Sequence, residues 1–129
     1  MKAVGKVLGK AREQGAEAKR FLVVGLGNFG AGVARDLGAL GHDVTAIDTS
    51  RETAERLADH IERTVIADAT EPRVLEELDA GSFDAGIVST GRDITASVLI
   101  ALALRDLGVA EIYVKVISDV HARILDTVG

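Results

Sequence analysis

At 129 residues, 47% of them hydrophobic and 27% charged, the chain has the size of one domain with a single core and leaves no room for a catalytic module beside it. The formal net charge of −5 is uneven: residues 1–20 carry net +4 and residues 21–129 net −9, and so acidic a body argues against nucleic acid as a partner. The lack of cysteine excludes disulfides, thiolate zinc sites and a Cys nucleophile, in keeping with a reducing cytoplasm, and no apolar run reaches the roughly 18 residues of a membrane span.

Residues 1–19, "MKAVGKVLGKAREQGAEAK", form a basic segment without the apolar centre of a signal peptide. Val4, Val7 and Leu8 make a thin stripe interrupted by Gly5, Gly9 and Gly15, so a weak helix or linker is expected, with a basic docking arm as the functional alternative. From residue 20 to 129 the pattern alternates. The first β-branched run, Phe21 to Val24, leads into "GLGNFG" and a helix from about Phe29 to Leu40 that should bury Val33, Leu37 and Leu40 before Gly41. A strand from Val44 to Ile47 precedes "TSRE", where Thr49 or Ser50 can cap a helix running to about His60. Thr64 to Ala67 is the third strand. The helix after it opens at Thr70, tolerates Pro72 in its first turn and closes near Gly81. Ala85 to Ser89 is followed by "DITASVLIALALRDLG", apolar almost all round between Asp93 and Gly108, which predicts burial between layers. Ile112 to Val116 and a helix from Ser118 to Val128 complete the pattern. Strand–helix units of this length mean an α/β fold, a doubly wound parallel sheet in the order 3-2-1-4-5, with ligands expected beyond the carboxyl ends of the strands.

The strand ends carry the candidates. Gly25, Gly27 and Gly30 form G-x-G-x-x-G between a strand and a helix, and Asp48 follows 18 residues later at the end of the second strand. Gly25 permits the turn, Gly27 leaves room for a pyrophosphate, and Gly30 allows close packing of helix on strand. The helix amino terminus offers amide hydrogens to phosphate, and Asp48 can accept both ribose hydroxyls while repelling a 2′-phosphate. NAD(H), ATP or ADP are therefore expected and NADP(H) disfavoured. Asp68 can bond an adenine amino group or act with Thr70 at a helix start. Thr90, Gly91 and Arg92 stand near the phosphates or second ribose, or form an ordinary capped turn. Lys115 reaches the same crevice or lies exposed at a sheet edge. His42 and His60 read as surface residues, and no cluster with metal-ligand spacing is evident.

"FLVVGLGNFG", "GHDVTAID", "VIADATE" and "IYVKVISDVHARILDTVG" together resemble the amino-terminal nucleotide-binding domain of the regulator of K⁺ conductance (RCK) family, the Ktr/Trk-type cytosolic subunits of potassium transporters. The similarity covers residues 20–129, and "ADATE" with the Lys115 to His121 spacing favours it over dehydrogenases at large. The resemblance implies homo-oligomers, from dimers to rings of eight, on the cytosolic face of a membrane-embedded potassium transporter subunit. There, nucleotide identity biases a gate without chemistry. It also implies nucleotide contacts at Asn28 and Phe29 in the glycine loop, at Asp48, Thr49 and Ser50, at Asp68 and Ala69, at Thr90, Gly91 and Arg92, and at Lys115, Val116, Ile117 and His121.

Two departures from the family pattern stand out. Many ATP-responsive members carry Arg where this chain has Asn28, so strong preference for ATP over ADP is not implied. The sequence given ends at Gly129, before the sixth strand that the family adds, which would leave the fifth strand as an edge open to pairing. Two rival readings share the fold: an NAD-dependent dehydrogenase fragment without its substrate domain, and the sensor domain of a cation/proton antiporter.

Overall fold

The computed structural model describes residues 18–128, so nearly all of the basic segment 1–19 lies outside the described residues. Within them, strands β1 (Arg20–Val24), β2 (Asp43–Asp48), β3 (Arg63–Ile66), β4 (Ala85–Val88) and β5 (Glu111–Val114) alternate with five α-helices. These are α1 (Asn28–Ala39), α2 (Arg51–Leu57), α3 (Pro72–Glu77), α4 (Ile94–Asp106) and α5 (Asp119–Val128). All paired strands are parallel and their order is β3-β2-β1-β4-β5, the expected one.

Both sheet faces are covered, which is why the strands read as apolar runs and not as alternating patterns. In β1, Phe21 and Val23 join Leu37 of α1 and Leu57 of α2 in one core layer. Leu22 and Val24 point the other way, toward Leu75 of α3, Ile100 and Leu104 of α4 and Leu125 of α5. The chain leaves β1 toward β2 and later returns to place β4 on the opposite side, so a crevice opens beyond the ends of β1 and β4.

Glycines end the two longest helices by the same device. After α1, Gly41 takes φ +89° while its amide bonds the Gly38 carbonyl and the His42 amide bonds Leu37. After α4, Gly108 takes φ +93°, and the amides of Gly108 and Val109 bond Arg105 and Leu104. Both are Schellman closures, which satisfy carbonyls that the last turn leaves open.

Four expectations need correction. Leu40 is 41% exposed, because it is the C-cap of α1 and the chain has begun to turn away from the core. The third helix is shorter than expected: it spans only Pro72–Glu77, and Asp79 in the left-handed region (φ 54°) separates it from a 3₁₀ turn at Ala80–Ser82. Helix α4 packs one face only, Ser97, Ile100, Ala101 and Leu104, and leaves Leu99 50% exposed, so it lies on the sheet and not between layers. His42 is buried, not superficial: its Nδ1 accepts from the Lys19 amide at 3.0 Å and its ring meets Phe21 edge to face.

Candidate functional site

A cleft of about 700 Å³ opens at the carboxyl end of the sheet. Its floor is the turn after β1, where the Gly25 amide bonds the Ile47 carbonyl and the Ser89 amide bonds Val24, tying three strand ends together. The three glycines have separate reasons. Gly25 has φ +91°, and a Cβ there would stand 1.9 Å from the Ser89 carbonyl oxygen; one on Gly30 would stand 1.8 Å from the Gly25 carbonyl oxygen. Packing therefore explains both. It does not explain Gly27, where an added Cβ meets no atom within 4 Å and the residue borders the cleft.

Gly27 is also the N-cap of α1. It supplies no side-chain cap, the first turn holds no acid, and the first helical bond is from the Ala31 amide to the Gly27 carbonyl. The amides of Asn28, Phe29 and Gly30 are thus left without helical acceptors at the positive end of a 12-residue helix. Three of the other four helices close this end with side chains: Ser50 accepts from Thr53 in α2, Asp93 from Ala96 in α4, and Ser118 from His121 in α5, while α3, which opens at Pro72, has no side-chain cap. An anion-binding end is open where the glycine loop meets the cleft.

Asp48 faces that loop from the end of β2. Its Oδ2 accepts from the Leu26 amide at 2.7 Å and its Oδ1 from the Ser50 amide at 2.8 Å. Each oxygen keeps a further lone pair, so the carboxylate can still receive a diol while it holds the glycine loop in place. Across the cleft, Asp68 binds the Thr70 hydroxyl at 2.6 Å and the Thr70 amide at 2.9 Å. The Thr70 hydroxyl, and then its amide, hold the Asp68 carboxyl below the usual carboxylate value of 3.8. Lys115 is the one cation on the wall among the described residues, which it shares with Asp48, Asp68 and Asp93, and its Nζ sits 5.0 Å from the centre of the Phe29 ring.

Of the residues singled out in the sequence, Gly25, Gly27, Asn28, Phe29, Asp48, Thr49, Asp68, Ala69, Thr90, Gly91 and Lys115 all border this cleft. Gly30 is buried beneath the loop, and Ser50 is turned into its capping role. Arg92, Val116 and Ile117 are exposed outside the lining. His121 is neither solvated nor on the cleft wall: it is 1% exposed, and both ring nitrogens are bonded within the chain. Thr70, Ser89, Asp93, Ala96 and Ile100 line the cleft without having been singled out. Proximity to "ADAT" and "STGRD" was the available signal for the first three. Ala96 and Ile100 enter only because the first turns of α4 lean over the crevice. Among the described residues no group of three or more His, Asp or Glu side chains could hold a metal ion, and no helix is long and apolar enough to cross a membrane.

An all-parallel doubly wound sheet with a capless helix end beneath an acidic strand end puts the chain in the Rossmann-like class of α/β domains. Within that class it belongs to the TrkA-N domain family, which it matches over residues 21–129. It is 37% identical over 111 residues to Ktr system potassium uptake protein A of Bacillus subtilis (strain 168), and 38% identical over 111 residues to Ktr system potassium uptake protein C of the same organism. Each alignment takes in 86% of this chain and 50% of the relative, so the chain spans about half the length of these curated relatives. Among solved structures, the NAD(P)-binding domain of an exopolyphosphatase-related protein from Archaeoglobus fulgidus superposes with a TM-score of 0.76 at 31% identity, over 86% of this chain and 83% of that one.

Proposed function

We propose that the chain is a nucleotide-sensing regulatory domain of a potassium uptake system, binding NAD(H), ADP or ATP in the cleft and acting by differential binding, without catalysis. The observation that carries the reading is the uncapped amino terminus of α1, opened by a glycine that packing does not require. A ligand anion is the group such an end lacks. Asp48 supports an adenosine with a free ribose 2′-hydroxyl, since a 2′-phosphate would meet its carboxylate. The names of the Ktr relatives support a role in potassium uptake. By the same analogy the partner is a membrane-embedded potassium transporter subunit, and the domain works as a homo-oligomer on its cytosolic face. Exposed Val120, Ile124 and Leu99 support an assembly that covers apolar surface. A nucleotide that prefers one arrangement of such an assembly by about 1–3 kcal/mol per site is enough to bias a gate.

Calorimetric titration with NADH, NADPH, ADP and ATP tests the reading. Saturable binding of NADH or an adenine nucleotide, with NADPH at least about tenfold weaker, is expected from the charge at Asp48. Binding of none of the four would overturn it, and tight NADPH binding would overturn the role given to Asp48.

A further inference from the structure

His121 lies off the cleft wall, yet its surroundings specify its chemistry. Nε2 is 2.6 Å from Ser97 Oγ in α4, and Nδ1 accepts from the Ile117 amide at 3.2 Å. The Ser97 hydroxyl lies 3.0 Å from the Ile94 carbonyl, and with its hydrogen directed there its oxygen presents a lone pair to an Nε2 that carries the proton. The Ile117 amide can only donate, so Nδ1 must lack one. A neutral ring then carries its proton on Nε2, the form from which the Ser97 oxygen can accept.

The two partners lie on either side of the cleft's β4–β5 flank. Ser97 follows Ala96 and precedes Ile100 by less than a turn, and both of those line the cleft. Ile117 belongs to the exposed connection of residues 115–118, which opens with Lys115, the cation on the wall. After the Lys115 amide bonds the Val88 carbonyl, the connection is tied by the Ile117 bond to the ring and by Ser118, whose hydroxyl accepts from the His121 amide at 3.0 Å and whose carbonyl accepts from the Ala122 amide at 3.1 Å.

We infer that His121 is a positioning residue, which clamps the β5–α5 connection to α4 through one fixed tautomer and so holds Lys115 against the nucleotide cleft. The inference rests on the nucleotide-binding reading above. A loop ordered before binding spares the ligand the entropy of ordering it. The clamp differs from simple filling of the core, because affinity should follow the Ile117 bond and not side-chain volume.

The test uses NADH fluorescence titration of the whole chain. His121→Phe keeps the ring volume and loses both bonds, and should weaken NADH about tenfold, because the connection that carries Lys115 loses its bond to the ring. His121→Asn places Oδ1 where Nδ1 stood and should recover affinity to within about threefold. In a Lys115→Met background, His121→Phe should add less than about twofold, because the clamp acts through Lys115. Equal losses in His121→Phe and His121→Asn, wild-type affinity in His121→Phe, or additive effects with Lys115→Met would each overturn the clamp. Should His121→Phe fail to fold, Ser97→Ala takes its place: a loss of about threefold is expected, and wild-type affinity overturns the inference. Nitrogen NMR of the unliganded wild type should show the Nε2–H form, and the Nδ1–H form would be fatal to the clamp. If no nucleotide binds the wild type, the functional reading fails separately. The clamp is then judged by Ile117 amide exchange, which should accelerate in His121→Phe and not in His121→Asn; no acceleration refutes it.

Discussion

In the glycine loop, close packing accounts for Gly25 and Gly30, whereas Gly27 borders the cleft with open space around it. Gly27 has φ −65° and open space where a Cβ would go, so Gly27→Ala should leave the melting temperature within a few degrees of wild type. The same change places a methyl group on the face proposed to receive the phosphates, and NADH or ADP affinity should fall by about tenfold or more in calorimetry. Gly25→Ala is the contrasting case. Positive φ and a carbonyl at 1.9 Å demand a backbone shift, and a loss of about 3 kcal/mol or more in urea denaturation is expected. At Asp68 the sign of the pH dependence follows from the lowered pKa. The Thr70 bonds contribute stability that is fully present above 3.8 and is lost as pH falls through the lower folded-state value. Asp68→Asn should therefore lower stability slightly and evenly above about pH 4 and flatten the acid limb below it, an effect kept small by the exposure of the group.

Among the elements, α4 combines the features that its sequence alone leaves ambiguous. Its residues are apolar on nearly every side, yet Leu104 is fully buried and Leu99 half-exposed. Leu104→Ala should cost about 2–5 kcal/mol by chemical denaturation, as expected for a cavity against β4 and β5, while Leu99→Ala should stay within about 0.5 kcal/mol in a dilute, monomeric sample. Equal losses at the two positions would restore the expectation of a helix buried between layers. The Schellman closures at Gly41 and Gly108 were readable from glycine placed just past an apolar period. The end of α3 was not, because Asp79 takes a left-handed conformation that its residue type permits but does not announce. The helix caps divided in the same way. Thr49 and Ser50 were equal candidates from spacing, and the fold gives the role to Ser50, whose Oγ lies 3.3 Å from the Thr53 amide, while Thr49 turns to the cleft.

For the molecule as a whole, the apolar residues left outside the core, Leu99 on α4 and Val120 and Ile124 on α5, are the surface on which the proposed self-association would rest. Sedimentation of the purified chain should show a mass above that of the monomer, and Val120→Glu should lower it without changing the circular dichroism; a monomer at all concentrations would argue against assembly by this domain alone. The strand order, the position of the cleft and most of the residues along it were legible in the sequence. These follow from local periodicity and from the rule that parallel crossovers are right-handed, which bring strand ends to one side whatever the details of packing. What each side chain along the rim touches is set by contacts across the fold. Asp48 holds the Leu26 amide of the glycine loop as well as facing the cleft, and His121 turns inward to Ser97 and Ile117. Arg92 is exposed outside the cleft lining. Side-chain direction at a strand end depends on which amides and hydroxyls come within about 3 Å from elsewhere in the chain, and spacing along the sequence carries no record of them.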